Sequence, residues 1–185
     1  ADLLIGAGSK THIPMVVAKS QFGGKSVVLM RPSIPMGLFD LVVTPKHDQV
    51  TPRKNLVETV GALNSVGFVK DKDPKRGLVL IGGESPHYVW DDKEITSQLK
   101  EIIRRSHDVA WTLTTSRRTP KTFLQLLQNI PIAVVPVEQT DQQWMTEQFS
   151  KSGQIWVTPD SVSMVYEALS SGAAAKTFSL KPTIK

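Results

Sequence analysis

The sequence predicts an α/β protein with buried, parallel strands, and three observations lead to this fold class. Short apolar runs such as residues 25–30 (KSVVLM) and 78–81 (LVLI) recur along the chain. They are continuous rather than alternating, as is typical of parallel strands covered on both faces. Most are followed by a segment with helical apolar spacing, which predicts right-handed strand–helix–strand units. The apolar fraction of 40% and the charged fraction of 21% are those of a globular protein.

The first series of elements occupies residues 1–70. Strands are predicted over Asp2–Gly6, Lys25–Met30 and Phe39–Thr44, and a helix over Ile13–Phe22. Thr11 can cap this helix, and Pro14 stands in its first turn, where a missing N–H costs nothing. Because about three strands precede Lys70 and the chain begins inside one of them, we expect this unit to be incomplete.

The segment Lys70–Arg76 (KDKDPKR) is the most polar of the chain and has the composition of a linker. We therefore predict an N-terminal domain over residues 1–70 and a C-terminal domain over residues 77–185. In the second domain, strands are predicted over Leu78–Ile81, Asp108–Leu113, Ile132–Pro136, Gln154–Val157 and Ala175–Ser179. Helices are predicted over Lys93–Ser106, Lys121–Gln128, Gln142–Lys151 and Val162–Ser171.

Charge and cysteine content narrow the kind of ligand. The net charge of +5 suits a nucleic acid, an anionic membrane surface or a phosphorylated small molecule. The cations are not concentrated in one segment, and the aromatic residues are not interleaved with them, so a small anionic ligand is favoured over nucleic acid. With no cysteine and four dispersed histidines, we expect no metal site and a cytoplasmic location.

Two strand-ending loops of the C-terminal domain are rich in groups that bind anions. In residues 82–85 (GGES), two glycines let the backbone approach a ligand with its N–H groups outward, and a tight turn at positive φ is the alternative. In residues 115–120 (TSRRTP), two guanidiniums leave a strand together with three hydroxyls, and Arg can bind phosphate oxygens bidentately. Helix capping explains Thr119 alone and not this density of donors. The candidate anion-binding residues of the two loops are Gly82, Gly83, Ser85, Ser116, Arg117, Arg118 and Thr119.

A third candidate follows the strand over Gln154–Val157. Asp160 or Ser161 can cap the next helix, and Ser161 and Ser163 present hydroxyls beside its N-terminus, which attracts anions. Glu167 lies four residues after Ser163, so both share one helix face, where the carboxylate suits a ribose diol. The alternative is an ordinary solvent-facing glutamate.

In the N-terminal domain, residues 6–12 (GAGSKTH) form a strand-to-helix turn that matches neither a dinucleotide-binding fingerprint nor a Walker A loop. The turn still places Lys10, Thr11 and His12 together. A histidine there can act as a general base or can be a partly exposed capping residue.

The motifs GAGSKTHIP, VVLMRPS, FDLVVTPKHD, GALN, LIGGES, TLTTSRRTP and VTPDSVSMVYEALSSG, taken in this order, resemble one known family. It is the mitochondrial fission factor (elongated-mitochondria) family of plants, with bacterial homologues described as nucleoside-diphosphate-sugar-utilising proteins. The resemblance covers nearly the whole chain. The two series of elements are also similar to the GT-B fold of sugar-nucleotide glycosyltransferases, in which two Rossmann-like parallel-sheet domains face each other across a cleft.

The resemblance implies a role for each candidate residue. The C-terminal domain would hold a nucleotide sugar, with Gly82, Gly83, Ser116, Arg117 and Arg118 at the diphosphate, Ser161 and Ser163 at phosphate or sugar, and Glu167 at the ribose. The N-terminal domain would supply the acceptor side through Gly8, Lys10 and Thr11, and His12 would be the catalytic base.

Three functions follow from these expectations. The leading hypothesis is a glycosyltransferase that uses a nucleoside-diphosphate sugar and needs neither a metal nor a cofactor. The second is an adaptor without catalytic turnover. It would associate peripherally with a membrane surface and recruit a partner there, as the plant members do. A nucleoside-diphosphate-sugar epimerase is the third, and the sequence leaves all three open.

Overall fold

The computed structural model describes residues 2–183, and the chain divides into two compact units, residues 1–63 and 64–185. Both are α/β units with one parallel sheet, which confirms the predicted fold class of two Rossmann-like parallel-sheet domains. The division lies before the polar segment Lys70–Arg76. Val66 packs against the core of the C-terminal unit, and the Val69 N–H donates to the Ser171 carbonyl (3.1 Å), so residues 64–69 belong to that unit.

The N-terminal unit has four parallel strands in the order β1-β2-β3-β4. Its elements are β1 Leu3–Ala7, α1 His12–Phe22, β2 Lys25–Leu29, β3 Leu41–Pro45 and β4 Leu56–Thr59. The fourth strand adds to the three that were predicted, and its sequence LVET is too short and too polar to be recognised as buried. Met15, Val28, Phe39 and Val42 form the core.

One carboxylate links three parts of the N-terminal unit. Asp40 accepts hydrogen bonds from Lys19 Nζ on α1 (2.6 Å) and from the backbone N–H and the hydroxyl of Ser26 on β2 (2.8 and 3.0 Å). The Lys19 bond and the Ser26 N–H bond hold the pKa of the Asp40 carboxyl well below its usual range. This contact fixes α1 against β2 and the start of β3.

The C-terminal unit has five parallel strands in the order β7-β6-β5-β8-β9. Its strands are β5 Asp73–Leu80, β6 Ala110–Thr114, β7 Ala133–Val135, β8 Ser152–Val157 and β9 Ala174–Thr177. Its helices are α2 Asp92–Arg105, α3 Lys121–Leu126, α4 Gln142–Lys151 and α5 Val162–Ser170. Every strand and helix predicted for this unit is present, with shifted ends. Asp73–Arg76, predicted as linker, begins β5.

The second half of the central strand β5 is buried on both faces. Val79 and, just after the strand, Ile81 pack in one apolar cluster with Leu99 of α2 and Phe123 of α3. Leu78 and Leu80 pack in a second cluster, which contains Phe149 of α4 and Ala168 of α5. Because neighbouring side chains of a strand point to opposite faces, a strand covered on both sides has a continuous apolar run. None of the helices within residues 2–183 combines the length and apolar character that a membrane span requires.

Candidate functional site

The strand order of the C-terminal unit creates a topological switch point. The chain runs from β5 outward through β6 to β7, then returns to the other side of β5 to form β8 and β9. The connections after β5 and β8 therefore leave in opposite directions, and ligands of open parallel sheets bind at the carboxyl ends of such strands. The loops predicted to hold an anion follow β5, β6 and β8.

Residues of these three loops form one hydrogen-bonded group, here named the switch-point cluster. Its members are Gly82, Gly83, Ser116, Arg118, Thr119, Thr158 and Asp160. The Gly82 N–H donates to Thr158 Oγ1 (2.7 Å), and the Gly83 N–H donates to Asp160 Oδ2 (3.0 Å). The hydroxyls of Ser116 (2.8 Å) and Thr119 both donate to the Gly82 carbonyl. These two hydroxyls, predicted as ligand donors, thus bind protein backbone, and their role toward a ligand stays a prediction.

Arg118 occupies the centre of the cluster. Its Nη1 donates to the carbonyls of Gly83 (3.2 Å) and Glu84 (2.8 Å), and its Nη2 donates to Asp160 Oδ2 (2.7 Å). A guanidinium has five N–H groups. Within residues 2–183 the Nε–H and the second Nη2–H therefore have no protein partner, and the side chain is 43% exposed. Three protein bonds hold this guanidinium, and two of its five N–H groups remain for an anion.

Thr158 and Asp160 are the two members of the cluster that sequence reasoning missed; Thr158 was not considered as a site residue, and Asp160 was considered only as a helix cap. The side chain of Asp160 is fully buried. Oδ2 carries the Arg118 and Gly83 bonds, whereas Oδ1 has no partner among the described residues. One signal in the sequence could have indicated its role: Asp160 follows a buried strand and so lies at the same edge of the sheet as the two glycines of the first loop. The negative charge of Asp160 offsets the positive charge of Arg118. Arg117 is exposed and makes no bond within residues 2–183, so it supplies the net positive charge of this site.

Gly82 and Gly83 are required by packing between loops. Neither has a positive φ. A Cβ at Gly82 would lie 2.2 Å from Asp160 Oδ2, and a Cβ at Gly83 would lie 2.1 Å from the Arg118 carbonyl oxygen. The glycines therefore allow two protein loops to approach each other, which differs from a turn that needs positive φ.

The remaining candidates of this unit make no bond to the switch-point cluster. Ser161 is the N-cap residue of α5, but its side chain does not cap the helix, and Ser163 is exposed. The Ser85 hydroxyl accepts a long bond from the His87 N–H (3.4 Å). Glu167 is half-buried on α5, its side chain has no hydrogen-bond partner among the described residues, and burial raises the pKa of its carboxyl.

The raised pKa of Glu167 predicts a pH-dependent effect of Glu167→Gln. Since the folded state holds the proton more tightly than the unfolded state, ionisation of Glu167 lowers stability as the pH rises above the ordinary value of 4.5. The neutral glutamine should therefore raise the melting temperature at pH 7.5, and the gain should disappear below pH about 4.5. Thermal melts of both proteins across this range test it, and a difference that is constant with pH would contradict it.

In the N-terminal unit the acceptor-side candidates lie in the turn between β1 and α1. Gly8 has a φ of 84°, and its carbonyl accepts the Thr11 hydroxyl (2.8 Å), so Thr11 stands at the N-cap without its side chain capping α1. Lys10 is exposed. The acceptor-side role of these residues stays a prediction.

His12 is 2% exposed, so it is a buried residue and not a partly exposed cap. Its Nδ1 accepts the Ser33 N–H (3.2 Å) and lies 3.0 Å from the Ser33 hydroxyl. In the neutral ring this leaves the proton on Nε2, which has no partner among the described residues. Because the basic lone pair is already accepting, catalysis by His12 stays a prediction that requires the Ser33 contact to open.

A separate cavity of about 760 Å³ lies beside α2 in the C-terminal unit. Its lining includes Glu101, Arg105, Trp156 and Lys176 but none of the strand-ending loops. Arg104 and Arg105 bind Glu101 (2.7 and 2.5 Å) and lower its pKa to about 2, so these charges already pair with each other. The candidate site is therefore placed at the switch point and not in this cavity, although the cavity is large. No group of three or more acidic or histidine side chains within residues 2–183 could hold a metal ion.

The chain is similar to proteins of known sequence and structure. The model of a family described as Mitochondrial fission ELM1 matches residues 1–185. An uncharacterised protein of Rickettsia prowazekii (strain Madrid E) is 24% identical over 92% of this chain, which spans 62% of that protein's length. The crystal structure of the GtfA/B complex bound to UDP and GlcNAc has 9% sequence identity and a TM-score of 0.41, covering 95% of this chain and 42% of that one.

Proposed function

The chain belongs to the mitochondrial fission ELM1 family, and we propose that its C-terminal unit binds a nucleoside-diphosphate sugar at the switch point and transfers the sugar to an acceptor. The observation that carries this proposal is the Arg118 guanidinium, which three protein bonds hold in place while its Nε–H and one Nη2–H have no partner among the described residues. Guanidinium N–H groups form strong, charge-assisted hydrogen bonds with phosphate oxygens.

Two further groups support binding of a diphosphate beside Arg118. Arg117 is the next residue in the loop, is exposed, and makes no bond among the described residues. The N-terminus of α5 directly follows Asp160, and no side chain caps it within the described residues. Uncapped N–H groups at a helix start attract anions because the helix dipole adds partial positive charge there.

The same donors suit the chemistry of glycosyl transfer. When the bond between the sugar C1 and the diphosphate oxygen breaks, negative charge grows on the leaving diphosphate. Arg117, Arg118 and the α5 N–H groups would stabilise this charge, and because Arg118 is already fixed, little reorganisation is needed as it develops. The acceptor oxygen bonds to C1, and the proton of its hydroxyl passes to solvent water or to the released diphosphate.

Calorimetric titration with UDP, GDP, ADP and inorganic pyrophosphate tests the proposal. We expect the chain to bind these anions, and Arg117→Ala to weaken binding about tenfold, because an exposed charge-assisted bond contributes on the order of 1.5 kcal/mol. Arg117 makes no bond among the described residues, so its removal should leave the melting temperature unchanged.

The matched control is Lys100→Ala, which removes an exposed cation on α2. It changes the net charge as much as Arg117→Ala does, and it should leave the affinity for these anions within about twofold of that of the unaltered chain. An affinity loss equal in both variants would mean that only net charge matters. Absence of binding by the unaltered chain would instead favour the adaptor function.

A further inference from the structure

A pocket of about 350 Å³ adjoins the switch-point cluster in the C-terminal unit. It is lined by His87, Tyr88, Pro159, Asp160, Val162 and Pro182. Asp160 belongs to both the pocket lining and the cluster, where it accepts the bond from Arg118 Nη2 (2.7 Å). The pocket therefore lies next to any ligand that binds Arg118, separated from it by Asp160 alone.

Backbone pairing fixes two of the pocket walls. The Val89 N–H donates to the Lys181 carbonyl (2.9 Å), and the Thr183 N–H donates to the His87 carbonyl (2.9 Å). Tyr88 lies between these bonds and pairs with Pro182. Backbone bonds thus hold two of the pocket walls, and walls held in this way reduce the cost of ordering on binding.

The lining determines what kind of group fits. Two proline rings, a valine and two aromatic rings provide apolar and flat surfaces. The lining contains no Lys, Arg or Glu, and the side chain of Asp160 is fully buried against Arg118. The volume is near the lower end of the range of about 300–1,000 Å³ found for small-ligand pockets. The lining therefore suits a small, uncharged and largely flat group.

A nucleoside diphosphate carries such a flat group and an anion in one molecule. Resting on the proposed function, we propose that this pocket holds the aromatic base of the nucleotide, stacked against the Tyr88 and proline rings, while the diphosphate binds Arg117 and Arg118. Among the lining side chains, the hydroxyl of Tyr88 and the ring of His87 are the hydrogen-bonding groups other than the buried Asp160. The base is thus held by stacking, which tolerates different bases, and UDP, GDP and ADP bind within about tenfold of one another.

The test compares nucleotides with pyrophosphate, which has the anion but no base, by calorimetry on the full chain. The unaltered chain should bind UDP and ADP at least about fivefold more tightly than pyrophosphate, because stacking of one base contributes about 1–3 kcal/mol. Val162→Trp fills the pocket with a larger side chain and keeps the backbone N–H groups at the start of α5, so it should weaken UDP to the level of pyrophosphate without changing pyrophosphate affinity. Leu169→Trp, at an exposed apolar position of the same helix, should change neither.

The outcomes separate this inference from the proposed function. If pyrophosphate binds and nucleotides bind no better, the base pocket is rejected and the anion site stands. If Val162→Trp weakens pyrophosphate as much as UDP, the pocket is likewise rejected as a base site. If neither ligand binds, the proposed function fails as well. The comparison in the unaltered chain decides the matter even if Val162→Trp does not fold.

Discussion

Gly83→Ala is expected to lower the free energy of unfolding of the chain by about 3 kcal/mol, the upper range of overpacking a buried site. The added Cβ would lie 2.1 Å from the carbonyl oxygen and 2.2 Å from the carbonyl carbon of Arg118. Both are backbone atoms, so no flexible side chain can move aside, and the loops after β5 and β6 must separate. Urea denaturation followed by circular dichroism measures the loss.

Gly67→Ala is the matched control for this prediction. Gly67 lies in the same unit and is exposed, and nothing lies within 4 Å of the position its Cβ would take. The substitution should change stability by less than about 0.5 kcal/mol. If Gly83→Ala were equally benign, the close approach of the two loops would not exist in solution.

The fold could be predicted from sequence wherever burial leaves an apolar run. The five strands of the C-terminal unit were found because both faces of its sheet are covered by helices. β4 was not found, since Val57 and Glu58 are exposed and the strand lacks a continuous apolar run. The beginning of β5 was not found either, because Asp73–Arg76 is exposed and polar and has no apolar run.

The candidate site could be predicted as a place but not as a set of bonds. Loops that follow parallel strands must meet at one sheet edge, and Gly82, Ser116 and Arg118 do meet there. Which donor finds which acceptor depends on distances between loops that are far apart in sequence. Asp160 therefore could not be assigned to Arg118, and the hydroxyls of Ser116 and Thr119 could not be assigned to the Gly82 carbonyl.

Arg118→Ala is expected to destabilise the chain by about 3 kcal/mol, because it leaves the fully buried Asp160 carboxylate with one remaining donor, the Gly83 N–H. The value is at the lower end for a broken buried pair, since Arg118 itself is 43% exposed. Arg117→Ala is the natural control. It removes an equal charge from the neighbouring residue, which makes no bond among the described residues, and should cost less than about 0.5 kcal/mol.

A double-mutant cycle with Asp160 distinguishes a specific pair from a general loss of packing. Asp160→Ala alone should cost about 2 kcal/mol, as it leaves Arg118 half-exposed and able to reach water while the Gly83 N–H loses its acceptor. Adding Asp160→Ala to Arg118→Ala removes the unpaired buried charge, so the double variant should be little less stable than Arg118→Ala itself. The coupling measured by urea denaturation should then be about 2 kcal/mol, within the range for bonded neighbours. Additive losses would mean that the two side chains do not act as a pair. Arg118 would then lack the fixed geometry that prepares its remaining N–H groups for a phosphate.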